Sequence, residues 1–167
     1  ALIPEISDAR CFSAPLEPQS VHQGAALEVK PLNWGSLADV AVGQGPRQGA
    51  GPPRLVLLDR VTDPHNVGAI LRSAEVFGAN AVIGTLRNSA PETGALAKTA
   101  SGALERQPYL RLRNLSNTIV ELQKIGYLVL GLDGTASKTV EMVLDGWRDR
   151  PVALVLGAEG PGLRKKT

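Results

Sequence analysis

The stretch Leu55-Val56-Leu57-Leu58-Asp59-Arg60-Val61-Thr62-Asp63-Pro64-His65-Asn66-Val67-Gly68-Ala69-Ile70-Leu71-Arg72-Ser73-Ala74 changes periodicity part-way along. Its opening run, Leu55 to Leu58, is continuously apolar, as a strand buried on both faces must be. Asp63 followed by Pro64 starts a helix: the carboxylate can cap free backbone N–H groups, and proline is tolerated at the first helical position. From there Val67, Ile70, Leu71, Ala74 and Phe77 fall on one face at about 100° per residue. The spacing predicts a helix over Pro64 to Phe77 with those residues toward the core. Arg72 lies roughly 160° from the centre of that face and is expected to point away from the sheet. Gly68 costs a helix about 1 kcal/mol relative to alanine, so its presence signals close approach by another group.

Further along, short apolar runs recur at Ala81 to Gly84, Tyr109 to Leu112, Tyr127 to Leu132 and Val152 to Leu156. Helical patterns separate most of them, at Pro91 to Ala103, Leu115 to Ile125 and, shorter, Thr139 to Leu144. Strand alternating with helix implies an α/β fold, a largely parallel sheet with helices on both faces. The segment after Leu58 lacks the glycine fingerprint of a dinucleotide-binding domain.

In the other direction, the Gly-, Pro- and Gln-rich stretch from Gly43 to Pro53 has no apolar periodicity and reads as a linker. Before it lie residues 1–42, with one expected strand at Ala25 to Val29, too little chain for an independent domain. The expected organisation is a remnant of a small domain over 1–42, a linker over 43–53 and the main domain over 54–167.

Composition excludes several classes. The 167 residues contain no apolar run long enough to span a membrane, and the first residues have no signal-peptide pattern. With nothing marking it for export and a single cysteine, Cys11, the chain is expected in a reducing, cytoplasmic compartment. One Cys and two His are poor material for zinc, and no metal is expected. The net charge of +2 does not by itself announce nucleic acid, although basic residues gather from Arg106 to Arg113 and from Arg164 to Lys166.

A second constellation follows the last strand. Gly157-Ala158-Glu159-Gly160-Pro161-Gly162-Leu163 is a glycine-rich turn where α/β sheets place ligands. It lacks the Gly-Lys-Ser/Thr ending of a phosphate loop, and Glu159 would repel phosphates. A carboxylate there suits ribose hydroxyls or a cationic ligand; S-adenosylmethionine has a sulfonium and no phosphate. Each residue also has a plainer reading. Glu159 could merely cap the turn, Arg72 could be a solvated helix residue, Asn66 could bond local backbone, and His65 could be exposed or structural rather than a base.

Taken together, Asp63 to Ala74, Phe77-Gly78-Ala79 and Leu156 to Leu163 resemble motifs 1 and 2 of the SpoU family, within the SPOUT methyltransferases. The resemblance runs from about Leu55 to the end, and His22-Gln23-Gly24 is similar to the junction after the substrate-binding domain of ribosomal members. The resemblance implies S-adenosylmethionine as cofactor, a homodimer, a sheet closed by a trefoil knot, and methylation of a ribose 2′-hydroxyl in RNA. The subgroup most resembled acts on a guanosine of large-subunit (23S) ribosomal RNA. Alternatives are tRNA as substrate, or a non-catalytic RNA-binding or ribosome-assembly module. By the resemblance, Asn66, Arg72 and Glu159 take catalytic positions, Gly157 contacts the cofactor, and Gly134 neighbours it. The family's third motif, a Ser-Leu-Asn segment, is expected beyond Glu159, so a chain ending at Thr167 is expected to lack it and to be truncated at its C-terminus.

Overall fold

The computed structural model describes residues 3–8, 16, 22–43, 51–159 and 162–163. Cys11, Gly160, Pro161, the basic group Arg164 to Lys166 and most of the expected linker lie outside the described residues. The chain divides into two compact units, Ala1–Pro31 and Leu32–Thr167.

In the first unit the described residues form no helix or strand. The strand expected at Ala25 to Val29 does not form. Its apolar residues Leu27 and Val29 are exposed, and without a partner strand an apolar run has no ladder to join. His22 instead closes a turn: its carbonyl accepts from Ala25 N at 3.0 Å and its Nδ1 from Gly24 N at 3.0 Å.

The second unit begins before the expected linker. Helix α1, Leu37–Ala41, is opened by a capping box in which Ser36 and Asp39 bond each other's backbone N–H. These hydrogen bonds hold the Asp39 carboxyl below its ordinary pKa. Leu37, Val40 and Ala41 form an apolar stripe at helical spacing, and Val40 and Ala41 are buried in the core. The buried Tyr127 hydroxyl donates to Ala41 O at 2.6 Å. The compact unit that starts at Leu32 thus includes this short helix, whose buried residues join the core on one face of the sheet.

Five strands follow, β1 Arg54–Asp59, β2 Ala81–Thr85, β3 Tyr109–Leu112, β4 Leu128–Gly131 and β5 Val152–Gly157. Between them lie α2 Pro64–Val76, α3 Gly94–Ala100, α4 Leu115–Lys124 and α5 Val140–Leu144. Every pairing is parallel, in the order β3-β2-β1-β5-β4. Along β1 the side chains alternate: Leu55 and Leu57 pack with α1 and α4, Leu58 with α2 and α3. The sheet is thus covered on both faces, as expected.

All four expected helices fall short of their expected bounds, α3 by the most and α2, α4 and α5 by one residue each. Thr93 caps α3 by accepting from Leu96 N, and Ser101 ends it in the left-handed region at φ 49°, leaving Pro91 to Thr93 and Gly102-Ala103 outside. On α2, Val67, Leu71 and Ala74 are buried, but Phe77 is 82% exposed. It occupies the C-cap, where the chain turns out through Gly78 at φ 74°, so the helical wheel no longer places its side chain. Phe77 instead edges an apolar groove of about 550 Å³ that runs over the sheet to Leu144 and Trp147.

Candidate active site

The strand order reverses beside β1: the chain runs outward through β2 and β3, then returns to place β4 and β5 on the other side. In open α/β sheets the crevice at such a switch point, beyond the C-terminal strand ends, is the ligand site. The two constellations meet there. The segment after β1 opens α2, with the Asp63 carboxylate accepting from His65 N at 2.8 Å and Pro64 in the first turn. This turn presents Asn66, whose Nδ2 donates to Glu159 Oε1 at 3.2 Å. Glu159 follows β5, which pairs with β1 along its whole length, down to Asp59 opposite Gly157.

Arg72 is not part of that pair. Six residues further along α2, it lies about 9 Å up the axis and roughly 120° around it from Asn66. Its Nη1 donates to Thr99 O at the end of α3. It does point away from the sheet, but onto a neighbouring helix rather than into solvent alone. The Thr99 hydroxyl in turn lies 2.8 Å from Pro64 O, close enough to tie α3 to the first turn of α2. Gly68 explains how the helices come so close: a Cβ there would lie 2.5 Å from Thr99 Oγ1 and 2.8 Å from Thr99 C. His65 is exposed at the helix start.

On the other side of the crevice, glycines make room for the returning chain. A Cβ on Gly157 would lie 2.5 Å from Gly162 C and 2.7 Å from Gly162 O. Ala158 and Gly162 form an antiparallel bridge. A Cβ on Gly131 would lie 2.6 Å from the Leu163 side chain, so the end of β4 also receives this segment. Gly134 is separate from Gly157. It lies in the loop after β4 and lines an open cleft of about 490 Å³ with Gly131, Asp133, Lys138 and Thr139. Thr135 donates to Asp133 Oδ1 from both its hydroxyl, at 2.6 Å, and its backbone N–H, at 2.8 Å, which holds this carboxyl below its ordinary pKa. The cleft therefore carries an ionised carboxylate at neutral pH.

Sequence reasoning missed Thr99 and Leu163. Gly68 was the available signal for Thr99, since a glycine inside a helix marks close approach without naming what approaches. Nothing in the pattern marked Gly131 as the seat of Leu163. Among the described residues no group of three His, Cys, Asp or Glu side chains could hold a metal ion.

Residues 53–167 match the model of the SpoU rRNA Methylase family. The chain belongs to this family. Among curated SpoU relatives it is similar to the 23S rRNA (guanosine-2'-O-)-methyltransferase RlmB of a Burkholderia species, at 46% identity over 96% of this chain and 62% of that protein. The enzyme of the same name from Ralstonia nicotianae is 46% identical over 70% of this chain and 46% of its own length. Among solved structures, the SpoU methyltransferase AviRb from Streptomyces viridochromogenes, in complex with the cofactor AdoMet, superposes with a TM-score of 0.59. That likeness has 26% identity and covers 71% of this chain and 46% of AviRb. The chain thus spans about half the length of several proteins it matches.

Proposed function

We propose that this chain belongs to an enzyme that transfers a methyl group from S-adenosylmethionine to a ribose 2′-hydroxyl in RNA, at a guanosine of large-subunit ribosomal RNA. The observation that carries the reading is the Asn66–Glu159 hydrogen bond, which joins the two family motifs at the switch point of the sheet. The names of the curated relatives support the target, and the AviRb complex supports the cofactor.

The residues fit a cationic ligand without phosphates. The cleft after β4 offers the ionised Asp133 carboxylate and the bare backbone of Gly131 and Gly134, while Gly157 leaves space filled by the returning chain. Asp133 and Gly134 would hold the cofactor, with Gly157 beside it at the end of β5 as the family resemblance implies. When bound, S-adenosylmethionine supplies a methyl group activated by its sulfonium.

Methyl transfer to a hydroxyl asks two things of the protein: that the ribose oxygen be held in line, and that its proton have somewhere to go. Asn66, fixed by Glu159, would orient the hydroxyl through its remaining amide capacity. Arg72 retains donors beyond the one given to Thr99 O, and a guanidinium suits bidentate contact with the target's phosphate. A guanidinium stays protonated in proteins, which favours the positioning role over that of a base.

A homodimer belongs to the same reading. The apolar groove beside Phe77 and Trp147, with Val76 also exposed, supports a surface completed by other protein. The RNA target implies a cytoplasmic protein; no helix among the described residues is long and apolar enough to cross a membrane.

Calorimetric titration with S-adenosylmethionine tests the proposal, run on this chain and on one continued to the length of its relatives. Saturable binding by either, with methyl transfer to ribosomal RNA by the longer chain, is the expected result. Folded protein that binds RNA but no cofactor at either length would replace it with a non-catalytic RNA-binding module, and transfer to tRNA alone would move the target.

A further inference from the structure

We propose that Arg60, Arg87 and Arg113 form a row along the C-terminal rim of β1, β2 and β3 that holds the phosphates of single-stranded RNA leading into the Asn66–Glu159 site. The proposal rests on RNA being the substrate, and adds where and by what contacts it lies.

Arg60 directly follows β1, Arg113 directly follows β3, and Arg87 stands two residues beyond β2. These three strands are neighbours and parallel, so their ends lie on one rim. Leu86 N donates to Leu112 O at 2.9 Å, which keeps β2 and β3 side by side up to the arginines. Two strand spacings amount to roughly 10 Å. That is the scale of a few successive phosphates of one strand.

Charge pairing separates these arginines from their neighbours. Arg106 is paired with Glu75, and Arg111 with Glu92 at 2.8 Å. Arg60, Arg87 and Arg113 are exposed, and among the described residues they make no ion pair. The acidic Asp63 on this rim is engaged as the cap of α2. Beyond the switch point the cleft after β4 is lined by one acidic and one basic residue, Asp133 and Lys138, and so has no excess of positive charge. An incoming polyanion is thereby favoured on the β3-β2-β1 side over the cleft proposed for the cofactor.

Arg60 carries a second mark. Its φ is 63°, a left-handed conformation that glycine adopts freely and a bulky side chain adopts at a cost. An arginine standing where glycine would be easier points to use of its side chain. Methylation of one particular guanosine also asks for sequence-specific recognition, which in RNA mainly targets single-stranded loops, bulges and ends.

Fluorescence anisotropy of a dye-labelled single-stranded RNA, measured across a salt series, tests the row. The triple variant Arg60→Gly, Arg87→Gln, Arg113→Gln is expected to bind at least tenfold more weakly at low salt. Its slope of log affinity against log salt should be shallower by about 2, three phosphate contacts at ~0.7 each. Arg60→Gly relieves the backbone, so the variant should melt no lower than wild type. Arg106→Gln and Arg111→Gln should leave the slope unchanged. An unchanged slope in the triple variant, an equal loss in the two control variants, or identical behaviour with duplex DNA would overturn the row while leaving RNA as substrate. Wild-type protein that binds no RNA would overturn the row and the RNA reading together.

Discussion

Asn66 and Glu159, 93 residues apart in sequence, share a hydrogen bond of 3.2 Å in which the Asn66 amide donates to the Glu159 carboxylate. The bond orients the amide and leaves its oxygen and second N–H to act on something else. Asn66→Ala and Glu159→Ala are each expected to lower single-turnover methyl transfer by about a hundredfold, the scale of misplacing a reacting group by an ångström. The double variant should be little worse than either single one, because both remove one unit. Glu159→Gln keeps an acceptor oxygen and should retain most activity, whereas Asn66→Asp sets two carboxylates against each other and should not.

Gly157→Ala probes the returning chain. The new methyl would sit 2.5 to 2.7 Å from backbone atoms of Gly162 and Leu163, which cannot yield as a side-chain tip would. The segment bearing Glu159 must shift. Affinity for S-adenosylmethionine is expected to fall by about tenfold or more, equivalent to roughly 1.4 kcal/mol. Calorimetry checks this, with the circular dichroism spectrum expected to stay native.

How much of this could be read from the residues follows from the range of the forces involved. The strands and α2 were legible because burial on both faces demands continuous apolar runs, and Asp63-Pro64 announces a helix start locally. α1 carries local signals in Ser36 and Asp39 and in the stripe Leu37, Val40, Ala41, but it is short and precedes a glycine-rich stretch, and no helix was expected there. Phe77 was misplaced because a helical wheel holds only while the helix does. The partners of Arg72 and Gly131 were not legible, since each is brought up by a segment distant in sequence whose approach leaves no periodic trace.

Gly68→Ala sets two effects against each other. Alanine favours the helix by about 1 kcal/mol. The added Cβ, however, would lie 2.8 Å from Thr99 C and 2.9 Å from Ala100 N, and overpacking against backbone costs about 1–3 kcal/mol. Urea denaturation is expected to give a net loss of roughly 1 kcal/mol. Because α3 must move to relieve the contact, and Thr99 O holds Arg72, activity should fall further than stability alone explains. A variant that is more stable than wild type and equally active would show that the two helices can separate freely.

Arg72→Lys distinguishes the two roles open to that residue. Lysine keeps the charge and one donor for Thr99 O but loses the planar fork that grips a phosphate with two parallel bonds. If Arg72 clamps the target, the variant should raise KM for RNA about tenfold or more and change kcat little, with S-adenosylmethionine affinity untouched. If Arg72 instead takes the ribose proton, the change should fall on kcat rather than KM, and kcat should rise with pH toward the range where lysine begins to lose its own proton. The clamp is the expected outcome, because α3 offers Arg72 a backbone carbonyl, which suits a charged donor and does nothing to deprotonate one.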